Sequence, residues 1–524
     1  MLWPKKIIHF LAHHWSVLSY LILLIITFVY FTFFQAIPAF ADPDSFYHTK
    51  MSLLISQQGI IKNFPWLQFT ILKDSFIDKH FLYHVFLIPF TQTMDPIQGA
   101  KLANVFLSVG LILVFYWFLR RQKIKFTFLF TVILLVTMPF IFRVNLVKAP
   151  VFSILILLLG LYFLFKYKYL ALFILSFFYV WAYGGFILIL VFSGIYAVVS
   201  LFYDWWQKKP SQKFMLILSH SREVKLFFIS LFGIVAGLVV NPHFPHNIFF
   251  YWHQLVKIGI INYQKVIPVG NEWYPYKFID LTAGSAIVSI ILLISFYLLV
   301  VNYKKPSKKL ITLFIIFIFF FVFTLKSSRY VEYYVPFALI FGAFALNNYL
   351  GRIDWVKLWA IFSSFYMRHR IVTTILIIYF LATLPTVIIK DIRHTYSDLK
   401  GGIKIDRFQK ASSWLEENSQ AGDIVFHSSW DEFPILFYFN SKNYYIAGLD
   451  PTFTYEYDKD LYKKMVDITL GNQKENLYED IKKKFNSSYV LVEKGHTAMN
   501  TNIQADDGFK QVYEDEEATV YQVL

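Results

Sequence analysis

The sequence contains no cysteine, which excludes disulfide bonds and metal sites built on thiolate ligands. Charged residues are also few, at 16% of the 524 residues, whereas hydrophobic residues reach 57% and aromatic residues 20%. An average soluble domain is only about 45–50% apolar. Long apolar runs without an amphipathic pattern continue to about residue 390. This composition indicates a polytopic α-helical membrane protein.

The apolar runs predict about eleven membrane spans by length and hydropathy. The first run follows Lys5 and Lys6, and we expect it to be kept as an uncleaved span. Residues 79–94 are expected to lie on the outer face as an amphipathic or re-entrant element, because a span there would invert the later loops. The predicted spans cover residues 15–36, 98–119, 126–142, 149–166, 169–183, 185–203, 225–240, 280–302, 309–325, 331–350 and 371–390.

The net charge of +15 is explained by topology and does not require a nucleic acid partner. With a cytoplasmic N-terminus, the basic clusters between spans fall on the cytoplasmic side, as the positive-inside rule requires. They also attract anionic lipid. We therefore expect a multi-pass protein of the plasma (inner) membrane. Residues 1–390 would form its transmembrane domain and residues 391–524 an extracytoplasmic domain, on the same side as the loop 37–97.

The stretch ADPDSFYHTKM at residues 41–51 directly follows the first predicted span. If it is extended, the side-chain period of two points Asp42 and Asp44 the same way. Such a pair can hold a divalent metal, Mg²⁺ or Mn²⁺, or one member can take a proton from a substrate. A second interpretation is that Asp44 caps a helix running from Ser45 towards Gln57. The two interpretations are compatible.

The segment DPDSFYH resembles the D-x-D-x-Y-Y-H-like signature in the first outer loop of oligosaccharyltransferase catalytic subunits, which are GT-C membrane glycosyltransferases. The resemblance implies that Asp44 contacts the acceptor and a metal, with Asp42 assisting, and that Tyr47 and His48 line the substrate site. It also implies a GT-C architecture: a catalytic first outer loop, an outer C-terminal domain and a lipid-linked sugar donor that arrives from the bilayer. Three other residues of the loop, Asp74, Asp78 and His80, are expected to serve as solvated surface and helix caps.

The second outer loop, residues 143–148, carries Arg143 and Lys148 on the side that disfavours cations. Their partner is expected to be a phosphate or pyrophosphate, which Arg and Lys bind strongly, or else lipid headgroups. Oligosaccharyltransferases carry acidic metal ligands in this loop, and this sequence has none. The departure leaves both the metal and the subfamily open.

Two later outer segments carry further candidates. Glu272 lies where oligosaccharyltransferases have a mobile loop with a functional glutamate, and its aromatic neighbours suit stacking on a sugar or an interfacial belt. Arg329 and Glu332 are three residues apart and are expected to pair on one helix face. The pattern around Arg329 is similar to a stretch near the active site of GT-C enzymes, which implies a contact with donor phosphate. Snorkelling of Arg329 is the alternative.

The polar residues 391–524 alternate between short strand and helix patterns, with strands at 423–428, 444–447, 489–493 and 518–523, and predict a small α/β domain. No Gly-rich phosphate loop or nucleophile elbow is present, so we expect no independent hydrolase there. Trp430 and Asp431 resemble the end of the W-W-D motif with which oligosaccharyltransferases read the acceptor, although Ser429 replaces the first Trp. A packed Trp and a turn Asp are the alternative interpretation.

These observations favour a membrane glycosyltransferase with a polyprenyl-phosphate or polyprenyl-pyrophosphate sugar donor. Trp430, Asp431 and Glu272 favour protein glycosylation, whereas the missing acids of residues 143–148 favour a metal-independent transfer to a lipid or glycan. A transporter or flippase for a lipid-linked glycan is the alternative of another class. It would need charged residues inside the spans and paired broken helices, and the spans show almost no internal charge.

Overall fold

The computed structural model describes residues 5–207, 221–301, 306–350 and 355–524. Helices dominate the first 400 residues, because an apolar segment that must satisfy its own backbone hydrogen bonds can do so only as a helix or a closed barrel. The helices of this part are α1 Lys5–Gln35, α2 Asp44–Gln58, α3 Leu72–Ser75, α4 Phe81–Thr91, α5 Pro96–Arg121, α6 Thr127–Val136, α7 Met138–Val144, α8 Pro150–Phe165, α9 Tyr169–Ala182, α10 Ile187–Gln207, α11 Arg222–Val239, α12 His246–Trp252, α13 Phe278–Gly284, α14 Ala286–Val301, α15 Lys308–Lys326, α16 Val331–Leu350, α17 Trp355–Arg368 and α18 Arg370–Lys400.

Two pairs of helices are sharply bent. Helices α6 and α7 meet at 75°, where Pro139 occupies the first turn of α7 and cannot donate a backbone hydrogen bond. Helices α13 and α14 meet at 98°. The two bends touch, since a Cβ atom on Gly284 would lie only 3.1 Å from Cγ of Pro139. The broken helices therefore pack against each other at one end of the bundle.

The number of membrane spans is not confirmed at eleven. Among the described residues, five helices are long and apolar enough to cross a bilayer, or seven if each bent pair is counted as one span. Helix α4 has 11 residues, which is about 17 Å of helix and too short for a hydrocarbon core of about 30 Å. This length agrees with the expectation that residues 79–94 do not span.

The C-terminal part is a small mixed sheet with helices. Its strands are β3 Ile424–His427, β4 Tyr444–Tyr445, β5 Ser487–Glu493, β6 Phe509–Glu514 and β7 Ala518–Val523, in the order β4-β3-β5-β7-β6. Strand β3 is parallel to β4 and β5, and β7 is antiparallel to β5 and β6. The helices are α19 Gln409–Asn418, α20 Phe433–Phe439, α21 Pro451–Tyr457, α22 Lys459–Thr469, α23 Leu477–Glu479 and α24 Thr497–Gln504. The sequence patterns predicted four of these strands and missed β6.

The first loop and the sheet domain are joined by backbone pairing. Strand β1, Ala39–Phe40, lies directly after α1 and pairs antiparallel with β2, Ile403–Lys404, which follows α18. Further along the loop, the Trp66 indole donates to the carbonyl of Ser441 at 2.7 Å. The segment with Asp42 and Asp44 and the domain after α18 therefore lie at the same end of the helical bundle.

Candidate active site

A cavity of about 730 Å³ lies between the helical bundle and the sheet domain. It brings together loops that are separated by up to several hundred residues in the sequence. All ten residues proposed from the sequence as site residues line this one cavity, namely Asp42, Asp44, Tyr47, His48, Arg143, Lys148, Glu272, Arg329, Trp430 and Asp431.

The two aspartates converge on one lysine. The Lys148 ammonium lies 2.6 Å from Asp42 Oδ2 and 2.9 Å from Asp44 Oδ2. The segment is a turn and not a strand, because Asp42 Oδ1 accepts the backbone N–H of Asp44 at 2.9 Å and α2 begins at Asp44. The expectation that Asp44 caps the helix is therefore wrong: its side chain makes no capping bond, and Asp42 accepts the N–H at the helix start.

The electrostatics of this cluster follow from burial. The Lys148 side chain is only 8% exposed, and loss of hydration alone would lower its pKa. Attraction to Asp42 and Asp44 outweighs this effect and raises the pKa above its ordinary value. For Asp42, desolvation outweighs Lys148, and with the nearby carboxylates it raises the pKa to about 6.

The aspartate pair, as it stands, does not fit a divalent metal. A magnesium ion needs carboxylate oxygens at about 2.0–2.1 Å in near-octahedral geometry. The Lys148 ammonium lies between Asp42 Oδ2 and Asp44 Oδ2 and bonds to both. A metal ion bound to these oxygens would have to displace a buried lysine from two salt bridges.

Arg143 and Glu272 extend the network. Arg143 Nη1 lies 2.8 Å from Glu272 Oε2, and Arg143 Nε lies 2.8 Å from Glu332 Oε2. The expected pairing of Arg329 with Glu332 is therefore not observed: Arg329 pairs with Glu272 at 3.4 Å. The partners that the sequence predicted for Arg143 and Lys148 are carboxylates distant in the sequence, from loops and from the first turns of α2 and α16.

The Glu272 segment is held in place by hydrogen bonds. Residues Asn271–Trp273 form a 3₁₀ turn, and the carbonyl of Glu272 accepts the hydroxyls of Ser327 at 2.8 Å and Ser328 at 3.1 Å. Burial alone would raise the pKa of the Glu272 carboxyl, but Arg329, Lys148 and Arg143 together hold it well below its usual range. Glu272 is therefore an ionised link between three cations.

Lys79 was not proposed from the sequence, where it fell in a segment read as amphipathic. Its Nζ donates to Gln254 Oε1 at 2.5 Å, and it makes no ion pair with any residue that the structure describes. A Cβ atom on Gly184 would lie 3.3 Å from Cδ of Lys79, so the glycine gives the lysine stem room. Burial, and then repulsion from Arg329, lower the pKa of Lys79 to about 8.

Two histidines and one aspartate form a buried group beside the aspartate pair, and a third histidine, the half-buried His80, lies next to it. His84 Nδ1 lies 2.8 Å from Asp78 Oδ2, and His84 Nε2 lies 2.7 Å from His48 Nδ1. His80 is stacked on Tyr183 with ring centroids 5.4 Å apart. Asp74 is exposed, as expected, but the expectation of a solvated surface is wrong for Asp78, which is buried, and for His80, which lines the cavity.

The sheet domain closes the far side of the cavity. Ser429 and Glu432 form a capping box at the start of a 3₁₀ turn, and this turn presents Trp430 and Asp431. The Trp430 ring comes within 3.6 Å of the position that a Cβ atom on Gly270 would take. The aromatic ring therefore closes on the loop that holds Glu272.

Solved structures with the same fold are membrane glycosyltransferases. Archaeal oligosaccharyltransferase AglB from Archaeoglobus fulgidus, in complex with an inhibitory peptide and a dolichol-phosphate, matches with a TM-score of 0.64 and 13% identity over 98% of this chain and 75% of that chain. ArnT from Cupriavidus metallidurans, bound to undecaprenyl phosphate, matches with a TM-score of 0.56 and 15% identity over 97% of this chain and 98% of that chain.

A third match is the arabinofuranosyltransferase AftD from mycobacteria, with a TM-score of 0.51 and 10% identity over 97% of this chain and 40% of that chain. Neither a protein-family model nor a curated protein matches the sequence. The chain has the fold of the GT-C glycosyltransferases, as the DPDSFYH resemblance implied.

Proposed function

We propose that the protein transfers a sugar or glycan from a polyprenyl-phosphate or polyprenyl-pyrophosphate donor to an acceptor, in the cavity at one end of its membrane helices. The observation that carries this proposal is the charge layout of that cavity, where a half-buried carboxylate pair lies beside cations that lack a full set of carboxylate partners. The GT-C fold supports it, since the AglB and ArnT structures hold dolichol-phosphate and undecaprenyl phosphate.

The donor phosphate is assigned to Lys79 and Arg329. These two cations are close enough for Arg329 to lower the pKa of Lys79, and Glu272 is the one carboxylate within ion-pair distance of either among the described residues. An anion placed between two such cations gains charge-assisted hydrogen bonds from both. Arg143 and Lys148 bind carboxylates instead, so we assign them the role of holding Glu272, Asp42 and Asp44 in place.

Asp44 is assigned to the acceptor, with Asp42 assisting. Asp44 lies at the first residue of α2 with its carboxylate at the cavity wall, where it can accept a hydrogen bond from the attacking group and take its proton. Tyr47 and His48 follow on the same helix. Trp430 and Asp431, on the opposite wall, are assigned to the remainder of the acceptor.

The contact of Lys148 with both aspartates supports a transfer that does not use a metal, and therefore a hydroxyl acceptor on a lipid or glycan. Protein N-glycosylation in the manner of AglB is the second candidate, and the position of Trp430 and Asp431 on the cavity wall favours it. Binding of Mg²⁺ or Mn²⁺ by the aspartate pair is the alternative to this proposal, and it would require Lys148 to move away from both carboxylates.

The test is transfer in proteoliposomes that contain the purified protein and lipid-linked sugar donors. We expect a labelled sugar to move from polyprenyl phosphate to added acceptor lipid, glycan or peptide, and the acceptor that becomes labelled identifies the subclass. Movement of intact lipid-linked glycan between leaflets, without cleavage of the sugar–phosphate bond, would instead establish a flippase. We also propose that the site lies on the outer face of the plasma (inner) membrane. Vesicles in which the orientation of the protein is known test the face, because only protein with its site on the exterior should use an external acceptor.

A further inference from the structure

The buried residues Asp78, His84 and His48 are joined by two hydrogen bonds, and the last of them, His48, lines the cavity. Asp78 is 4% exposed and His84 is fully buried, so neither is a surface feature. Asp78 Oδ1 accepts the backbone N–H of His80 at 3.0 Å, and Oδ2 faces His84 Nδ1 at 2.8 Å. Both carboxylate oxygens are thus used within the protein.

The chain of contacts determines which nitrogen of each imidazole carries hydrogen. An ionised carboxylate can only accept, so His84 Nδ1 carries the hydrogen that Asp78 receives. In a neutral His84, Nε2 is then bare and accepts from Nδ1–H of His48. In a neutral His48, Nε2 is bare in turn, and it makes no hydrogen bond with any residue in the described parts of the chain.

Two further observations support neutral imidazole at His48. Burial lowers the pKa of His48 well below its ordinary value, and repulsion from Lys148 and Lys79 acts in the same direction. His48 also lies one helical turn after Asp44 on α2 and lines the same cavity. A bare nitrogen at this place is complementary to a hydroxyl group.

We infer that His48 Nε2 accepts a hydrogen bond from a substrate hydroxyl, and that Asp78 and His84 are positioning residues that keep this nitrogen without hydrogen. The inference rests on the proposed function and deepens it, because it assigns a specific contact to the sugar or to the acceptor. Transferred sugars and hydroxyl acceptors both offer this chemistry, so the experiment is designed to separate the two.

The variant Asp78→Asn should reverse the direction of the hydrogen bonds from residue 78 through His84 to His48, while the size of the side chain stays the same. The backbone N–H of His80 needs an acceptor, so the Asn carbonyl oxygen should take the place of Oδ1 and its NH₂ should face His84 Nδ1. His84 must then carry hydrogen on Nε2 and donate to His48 Nδ1, which moves the hydrogen of His48 to Nε2. The matched control is Asp74→Asn, an exposed carboxylate four residues earlier in the same segment.

Nitrogen-15 NMR of labelled histidine shows directly which ring nitrogen carries hydrogen. The signals of His48 are assigned as those that disappear in His48→Gln. We expect a bare Nε2 in the protein and in Asp74→Asn, and a protonated Nε2 in Asp78→Asn. Asp78→Glu keeps a carboxylate acceptor facing His84, so Nε2 of His48 should stay without hydrogen in this variant. It is the variant to measure if Asp78→Asn fails to fold. A protonated Nε2 of His48 in the unsubstituted protein would overturn the inference.

Binding and transfer then identify the hydroxyl. Asp78→Asn should bind undecaprenyl phosphate, which carries no sugar, as tightly as the unsubstituted protein. If the hydroxyl belongs to the sugar, binding of the lipid-linked sugar should weaken on the order of tenfold to hundredfold. If it belongs to the acceptor, the KM for the acceptor should rise by a similar factor with unchanged donor binding. Unchanged values for both, in a protein that performs transfer, would overturn the inference, whereas absence of transfer in the unsubstituted protein would refute the proposed function instead.

Discussion

The guanidinium group of Arg329 lies over the ring of Trp273, with 4.1 Å between Cζ and the ring centroid. Its ion pair with Glu272, at 3.4 Å, is longer than the two 2.8 Å ion pairs of Arg143. The stacked ring fixes the plane of the guanidinium, while one carboxylate leaves most of its N–H groups available. This arrangement suits bidentate binding of a phosphate that enters beside Lys79.

Arg329→Ala should therefore weaken binding of the donor, by roughly tenfold to a hundredfold, which is the usual effect of losing a charged hydrogen-bond partner. Arg329→Lys should restore only part of the affinity, because lysine lacks the planar fork. The measurement is the Kd for polyprenyl phosphate, with Arg407→Ala in the sheet domain as a control. Equal affinities for all four proteins would mean that Arg329 only anchors the loop.

Deprotonation of Lys79 should make kcat/KM for the donor fall at alkaline pH, which gives its pH profile an alkaline limb. The pKa of Lys79 is lowered to about 8, so the ammonium loses its proton, and its attraction for phosphate, as pH rises through that value. The limb should appear in kcat/KM for the donor, which reports the free enzyme. Lys79→Arg should remove it, since arginine stays charged, and Lys73→Arg on the same segment should not. An unchanged profile for Lys79→Arg would assign the limb to another group.

Asp44→Asn should fold and bind donor but lose turnover. Asparagine keeps the size of the side chain and removes its charge and its ability to take a proton. Loss of a general base is typically worth about 10²–10⁴ in rate. Asp42→Asn should show a smaller deficit, because the amide oxygen can still accept the N–H at the start of α2. Near-normal transfer by Asp44→Asn would exclude Asp44 as the base.

Lys148 provides the test of metal dependence. Its ammonium bonds to both aspartates, so we expect EDTA to leave the activity of the unsubstituted protein unchanged. Lys148→Ala should lose activity, because two neighbouring carboxylates then repel each other without a cation. The same variant should gain affinity for Mn²⁺, measurable by electron paramagnetic resonance. Loss of unsubstituted activity in EDTA would show that Lys148 moves aside for a metal.

Gly402→Ala tests the join between the first loop and the sheet domain. A Cβ atom at this position would lie 2.4 Å from the carbonyl oxygen of Phe40, so the β1–β2 pair would have to separate. Overpacking of this kind typically costs about 1–3 kcal/mol, and we expect a lower melting temperature and reduced transfer. Gly401→Ala is the matched control, since its nearest contact is 3.3 Å. Equal stability of the two variants would show that this pairing is dispensable.

The residues that could be predicted from the sequence are those with a local signal. Asp42 and Asp44 stand in a motif directly after an apolar run, and Arg143 and Lys148 are cations in a loop where cations are disfavoured. The sequence also showed that these cations need partners. It could not show that the partners are Glu272, Glu332 and the two aspartates, because side-chain pairing across loops depends on how the helices pack.

The missed residues lacked any such signal. Lys79 and Asp78 lie in a stretch whose mixed polarity is typical of a surface helix. Their surroundings arise only from tertiary packing, which brings Gln254 to Lys79 and His84 to Asp78. For Arg329 and Glu332 the sequence predicted a pairing that the structure does not contain. Their spacing of three residues suits a helix, but Ser328–Tyr330 forms a 3₁₀ turn before α16, which directs Arg329 towards Trp273.

The antiparallel pairing of β1 with β2 has a consequence for the biosynthesis of the protein. Strand β1 leaves the ribosome long before β2, because the whole helical bundle lies between them in the sequence. A nascent chain therefore carries Asp42 and Asp44 without the strand that pairs with the residues just before them, and without the sheet domain that closes the cavity. Assembly of the complete site must wait until translation has passed α18 and the C-terminal domain has folded. A chain whose synthesis stops earlier would contain the complete DPDSFYH motif but lack the framework that positions it.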